Sequence, residues 1–177
     1  MKGVVFNLLN EMVEEGFGLA AWDTILERAG TEGIYVATDT YADEELVALV
    51  GAASELTGIP ALELTRSFGE FMIPRFVESY NVFFANHDNL RDFLLTVDQV
   101  VHVEVRKLYP EAALPEFQYD ADDGGSLTLH YRSPRKLCAL AEGLIHGAAA
   151  HFGADYQLTH DVCMHNGADH CRLHLQF

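Results

Sequence analysis

Positive charge is scarce in this sequence: 11 Lys and Arg stand against 27 Asp and Glu, leaving a formal net charge of −16 at neutral pH. Such a field repels phosphate backbones and anionic lipid headgroups, so neither nucleic acid nor a membrane surface is expected as a partner. Long apolar runs are missing too. The opening MKGVVFNLLNEMVEEGF spaces its apolar residues and soon turns acidic, which fits neither a signal peptide nor a spanning helix. The expectation is a soluble, cytoplasmic protein. Cysteine is sparse as well. Three thiols cannot all pair within one chain, and a cytosolic protein keeps its thiols reduced, which argues against a disulfide framework and raises the question of metal ligation.

What is present is an ordinary globular composition, 49% apolar over 177 residues, enough for one domain with a substantial core. The sequence shows no internal repeat, low-complexity tract or interdomain linker. Across the first hundred residues, apolar positions such as Val4, Leu8 and Met12, or Leu46, Leu49 and Val50, recur at helical spacing between Gly-containing breaks. The pattern predicts helices over residues 2–15, 19–29, 43–57, 61–79 and 88–94. Residues 96–109 are rich in valine, as a strand would be, yet Thr96 and Gln99 have capping-box spacing and Pro110 closes the far end. These boundary signals predict a helix.

Beyond Pro115 the pattern alternates. Residues 117–119 and 127–131 read as strands around a turn at Asp122, Asp123, Gly124 and Gly125. Ser133 and Pro134 suit the N-cap and first position of a helix that continues to about Phe152. Residues 156–165 and 169–177 read as a hairpin around Asn166-Gly167, a pair tolerant of positive φ. The fold class is therefore α+β: an N-terminal helical part, then an antiparallel sheet with one long helix.

The first candidate site is His102. On a regular helix it shares a face with Leu95, Val105 and Tyr109, which puts an imidazole on a largely apolar stripe. Haem iron in gas-binding proteins needs such a neutral nitrogen donor in a dry cleft, although a histidine so placed also serves as an ordinary hydrogen-bonded core residue. The run YRSPR brings Tyr131, Ser133 and Arg135 together, two hydroxyls and a guanidinium suited to neutralising carboxylates.

This run resembles the YxSxR signature of the H-NOX family of haem-based gas sensors. The likeness extends from MKGVVFNLL through VVHVEVRKLYP to YRSPRKLCALAEGLIHGAAAHF and HDVCMHNGADHC. The resemblance implies haem b held between the helical part and the sheet part. It makes His102 the proximal iron ligand, gives the propionates to Tyr131, Ser133 and Arg135, and sets Pro115 against the macrocycle. Leu137, Leu140 and Leu144 form one stripe on the following helix. Oxygen-binding relatives carry a tyrosine where Leu140 stands, so the resemblance implies nitric oxide as the gas, carbon monoxide as a weaker ligand and oxygen as disfavoured.

The second candidate site lies in the C-terminal quarter, where His160, Cys163 and Cys171 are spaced H-x2-C-x7-C and Cys138 comes from the preceding helix. Three thiolates and an imidazole make a closed tetrahedral zinc site. The hairpin brings Cys163 and Cys171 nearly opposite each other, while convergence of His160 and Cys163 requires a local twist or bulge. His165, His170 and His174 compete for the histidine position, and free buried thiols are the alternative to a metal. A subset of the resembled family carries a Cys3His zinc site at the positions of Cys138, His160, Cys163 and Cys171. Cys138 points away from the leucine stripe, which places this metal apart from the haem.

The expected function is a non-enzymatic nitric oxide sensor, one domain over residues 1–177 with a distal helical part over about 1–60 and the haem-ligating remainder over 61–177. No stretch remains for an output domain, so signalling is expected to reach a separate histidine kinase or a diguanylate cyclase or phosphodiesterase. Two rival readings are a haem-free zinc adaptor and a haem enzyme. The leucine-lined wall lacks the acid–base residues that the latter needs.

Overall fold

The computed structural model describes residues 1–110, 112–122 and 125–177. Four helices open the chain: α1 (Gly3–Phe17), α2 (Leu19–Ala29), α3 (Asp43–Thr57) and α4 (Ala61–Ser79). Glycine ends each of the first three, and the C-caps Gly30 and Gly58 take positive φ (70° and 74°), a conformation that costs glycine least. Their inner faces, including Phe6, Leu9, Trp22, Ile25, Leu49 and Phe68, form one buried core.

The next helical stretch runs through α5 (Leu90–Thr96), a π turn (Val97–Val101) and α6 (His102–Leu108). The predicted capping box is not there. The cap is Asn89, whose Oδ1 accepts from Asp92 N at 2.9 Å. Thr96 instead donates its hydroxyl back to Phe93 O at 2.8 Å, as threonine does inside helices. A π turn is frequent at functional sites and breaks the regular helical phase just before His102.

Strands β1 (Glu116–Ala121) and β2 (Ser126–Arg132) follow, then α7 (Cys138–Phe152), β3 (Gln157–Val162) and β4 (Cys171–Gln176). The sheet is antiparallel in the order β1-β2-β4-β3. Asp123 and Gly124 of the expected β1–β2 turn lie outside the described residues. Flanking them, Asp122 Oδ1 accepts from Ser126 N at 2.9 Å, and Gly125 has φ 94°. Leu127, Leu129 and Tyr131 alternate inward from β2, and Cys171, Leu173 and Leu175 do so from β4. With Ile73, Phe93, Ile145 and Ala148 they make the second core.

The helix expected from Ser133-Pro134 begins later, at Cys138. Ser133 opens a turn instead, its carbonyl accepting from Lys136 N at 3.1 Å, with Lys136 at φ 52°. Ser-Pro suits a turn as well as a helix start, and here the turn wins. The β3–β4 hairpin has a broad loop with a short 3-10 turn (Met164–Asn166) and Gly167 at φ 91°. The expected irregularity in β3 is present as a register shift between His160 and Val162.

α4 and α7 join the two cores. α4 sends Leu64, Phe68 and Met72 to the first and Ile73 to the second, while Leu144 of α7 packs against both. Their backbones touch: a Cβ on Gly143 would sit 1.9 Å from Arg66 O, and one on Gly69 would sit 2.5 Å from Leu140 O. No single described helix is long and apolar enough to cross a membrane. α3 and α4 reach that composition only as a pair bent by 110°.

Candidate functional site

His102 is the first residue of α6, and its side chain is 12% exposed. Nδ1–H donates to Asp98 Oδ1 at 3.1 Å, four residues back across the π turn. With that nitrogen committed, Nε2 carries the lone pair a metal requires. Burial pushes the imidazolium pKa below its ordinary 6.5, outweighing the opposing pull of the Asp98 carboxylate. The ring is therefore neutral, and competent as a ligand, at neutral pH.

Phe117 of β1 connects this imidazole to the hydroxyl cluster. Its ring stacks on His102 at a centroid separation of 5.7 Å and meets Tyr131 edge-on at 5.7 Å, as expected for residues paired across β1 and β2. Tyr131 is almost fully buried, which raises its phenol pKa, and its oxygen accepts from Leu137 N at 3.1 Å. Ser133 is buried beside it, with Oγ accepting from Arg135 N at 3.3 Å. Arg135 Nε donates to Asp43 Oδ2 at 2.6 Å, while its Nη groups make no ion pair among the described residues. The arrangement is a neutral nitrogen donor and an aromatic wall, followed by three polar groups suited to carboxylates. This donor set has the chemistry an iron porphyrin requires, a neutral nitrogen for the metal and hydroxyl and guanidinium groups for carboxylates.

Pro115 is half-buried and directly precedes β1. Leu140 and Leu144 are half-buried on α7, facing the N-terminal core. Cys138 belongs to the other core.

The four residues of the second constellation lie together. One ligand atom each from Cys138, His160, Cys163 and Cys171 lies within 4.8 Å of the others. Cys138 Sγ and Cys171 Sγ stand 3.8 Å and 3.9 Å from Cys163 Sγ. Thiolates bound at 2.3 Å around a tetrahedral zinc stand about 3.8 Å apart, close to the two separations from Cys163. His160 Nε2 is buried without a hydrogen-bond partner, the state expected of a metal ligand. The competing histidines are engaged elsewhere: His165 with Lys136 O, His170 with Asp169 and His174 with Thr128. Burial raises the thiol pKa of Cys138 and Cys171.

Sequence reasoning passed over Asp98, Phe117, Glu142 and Arg66. Asp98 was visible in its i, i+4 spacing to His102. Glu142 was visible as the one acid in the apolar run CALAEGLIHG. Nothing local marks Arg66, which meets Glu142 from 76 residues away.

The profile of the haem–NO-binding (HNOB) family matches residues 2–160. An H-NOX protein from S. oneidensis, solved in the Fe(II)NO state, is 35% identical and superposes with a TM-score of 0.94, covering 99% of this chain and 98% of that one. An Fe(II) unliganded H-NOX protein from K. algicida is 28% identical with a TM-score of 0.92, over 99% and 96%. Soluble guanylate cyclase gcy-35 of Caenorhabditis elegans is 26% identical over 157 residues, 84% of this chain. The chain spans about a fifth of that protein's length (22%). Domains of this family bind haem and diatomic gases, and they sense rather than catalyse. By profile, identity and fold, the chain belongs to the H-NOX family of haem-binding gas-sensor domains.

Proposed function

We propose that the domain, about 1–60 distal and 61–177 haem-ligating, senses nitric oxide through haem b and regulates a histidine kinase or a diguanylate cyclase or phosphodiesterase on a separate chain. The observation that carries this reading is the continuous line from His102, through Phe117, to Tyr131, Ser133 and Arg135. When bound, the haem would supply a ferrous iron able to take a diatomic gas, with His102 as its protein ligand.

The chain's own residues do the rest. His102 offers Nε2 while Asp98 holds its other nitrogen. Tyr131, Ser133 and Arg135 hold the propionates, and Pro115 presses from the start of β1. Leu140 and Leu144 supply an apolar distal wall. Polarised oxygen gains from a hydrogen-bond donor, so a leucine at position 140 favours nitric oxide, with carbon monoxide weaker. His102 would tie the π turn and α6 to the haem, and a gas would shift the partner only through its different affinity for the states in which His102 is held and released. Cys138, His160, Cys163 and Cys171 hold Zn2+ in a site that is structural, or redox-sensitive where a thiolate ligand is oxidised, a reading supported by their spacing and the bare Nε2 of His160.

The test is His102→Gly supplied with free imidazole, read against the wild type. The wild type is expected to show a Soret band that shifts with nitric oxide, together with a changed partner activity. The variant is expected to keep the band and lose the partner's response. A response that survives unchanged overturns the release mechanism. A wild-type protein with no Soret band after haem supplementation overturns the sensor reading itself, leaving a zinc adaptor.

A further inference from the structure

We propose that Glu142 is a positioning residue that couples metal occupancy of the Cys138–His160–Cys163–Cys171 cluster to the crossing of α4 and α7. The inference rests on the zinc reading of that cluster. Glu142 stands one helical turn beyond Cys138, on the same side of α7, and its side chain is only 8% exposed. A carboxylate so enclosed is costly unless both oxygens find partners, and both do. Oε1 accepts from His160 Nδ1, and Oε2 accepts from Arg66 Nε at 2.7 Å. The first bond fixes the tautomer of His160, turns Nε2 toward the three thiols and makes that nitrogen a better donor.

The second bond reaches a different layer of the molecule. Arg66 is on α4, and its backbone carbonyl is the atom that presses on Gly143, the residue next to Glu142. At this point the two helices meet backbone to backbone, with no side chain between them to absorb a displacement. A shift of α4 along α7 therefore moves Arg66 relative to Glu142, and with it the imidazole. α4 also packs into both cores, so the crossing is where the helical part and the sheet part are held together. Metal that favours one setting of the crossing is favoured by it in turn, because such coupling is reciprocal.

The test uses Zn2+ and Co2+ as probes in the wild type, Glu142→Gln and Arg66→Gln. Three readouts apply: chelator competition, the thiolate-to-cobalt absorption bands, and hydrogen exchange across residues 66–73 with and without zinc. In the wild type, cobalt bands and zinc-dependent protection of residues 66–73 are expected. Glu142→Gln is expected to keep the bands, bind zinc roughly 10- to 100-fold more weakly and lose the zinc-dependent protection. Arg66→Gln, at a position whose side chain is partly exposed, is expected to lose that protection while keeping most of the affinity. Wild type without cobalt–thiolate bands overturns the zinc site, and the coupling falls with it. Wild type with bands, but with metal-dependent protection unchanged in both variants, overturns the coupling and leaves the site standing. If Glu142→Gln does not fold, Arg66→Gln alone decides between these outcomes.

Discussion

A neutral imidazole whose second nitrogen is bonded to a carboxylate is a stronger donor than a free one, because the acceptor draws the N–H proton away and leaves more charge on the ring. His102 and Asp98 stand in this relation at 3.1 Å. On the proposed reading of His102 as the iron ligand, removing the acceptor in Asp98→Ala should weaken the iron–histidine bond. The expected outcome is a lower iron–histidine stretching frequency in the resonance Raman spectrum and a larger five-coordinate fraction at a given nitric oxide concentration. An unchanged frequency would show that the carboxylate does not tune the ligand. Burial acts on the same ring from another side. Since it depresses the pKa of His102 below 6.5, the imidazole stays unprotonated further into mild acid than a free histidine would.

At the scale of elements, α4 and α7 fit closely, with Gly69 and Gly143 letting the backbones meet. Gly143→Ala puts a methyl group 1.9 Å from the Arg66 carbonyl, a contact that only displacement of a helix relieves. Overpacking of this kind costs about 1–3 kcal/mol, read as a lower urea midpoint with an unchanged slope. A midpoint equal to the wild type would mean that the helices separate freely. The first four helices were legible from sequence because their apolar spacing and terminal glycines agree with what tertiary packing selects. The join of α5 to the π turn and α6, and the start of α7, were not. Thr96–Gln99 and Ser133-Pro134 carry helix-start chemistry, but a longer helix and a turn satisfy the same backbone groups. The π turn leaves no compositional mark. The Cys3His candidates came from spacing together with the resemblance, and the fold adds that the competing histidines are bonded elsewhere. The Arg66–Glu142 bond was hidden because its partners are brought together by the crossing itself.

Across the whole molecule, the helical and sheet parts are also tied by a cluster of ion pairs. Asp43, at the start of α3, accepts from the Met1 ammonium at 2.7 Å and from Arg135 at 2.6 Å, so one carboxylate links the N-terminal helices to the turn that carries the propionate-binding candidates. Burial would raise its pKa, but the ammonium and the guanidinium outweigh it and hold the carboxyl below its ordinary 3.8. In the unfolded chain this group therefore takes up a proton first as pH falls. The stabilisation it gives is complete well above 3.8 and is lost progressively below that value, toward its folded pKa. Other depressed carboxylates, Asp161 and Asp169, add their own acid sensitivity, and comparison with Asp43→Asn isolates this one. At neutral pH the variant should be less stable by on the order of 1 kcal/mol, given a pair that solvent partly screens. The gap should shrink as pH drops from 4 toward 2, in urea titrations run in parallel. A gap that stays constant across that range would mean that Asp43 joins the two parts by shape, with its charge contributing nothing.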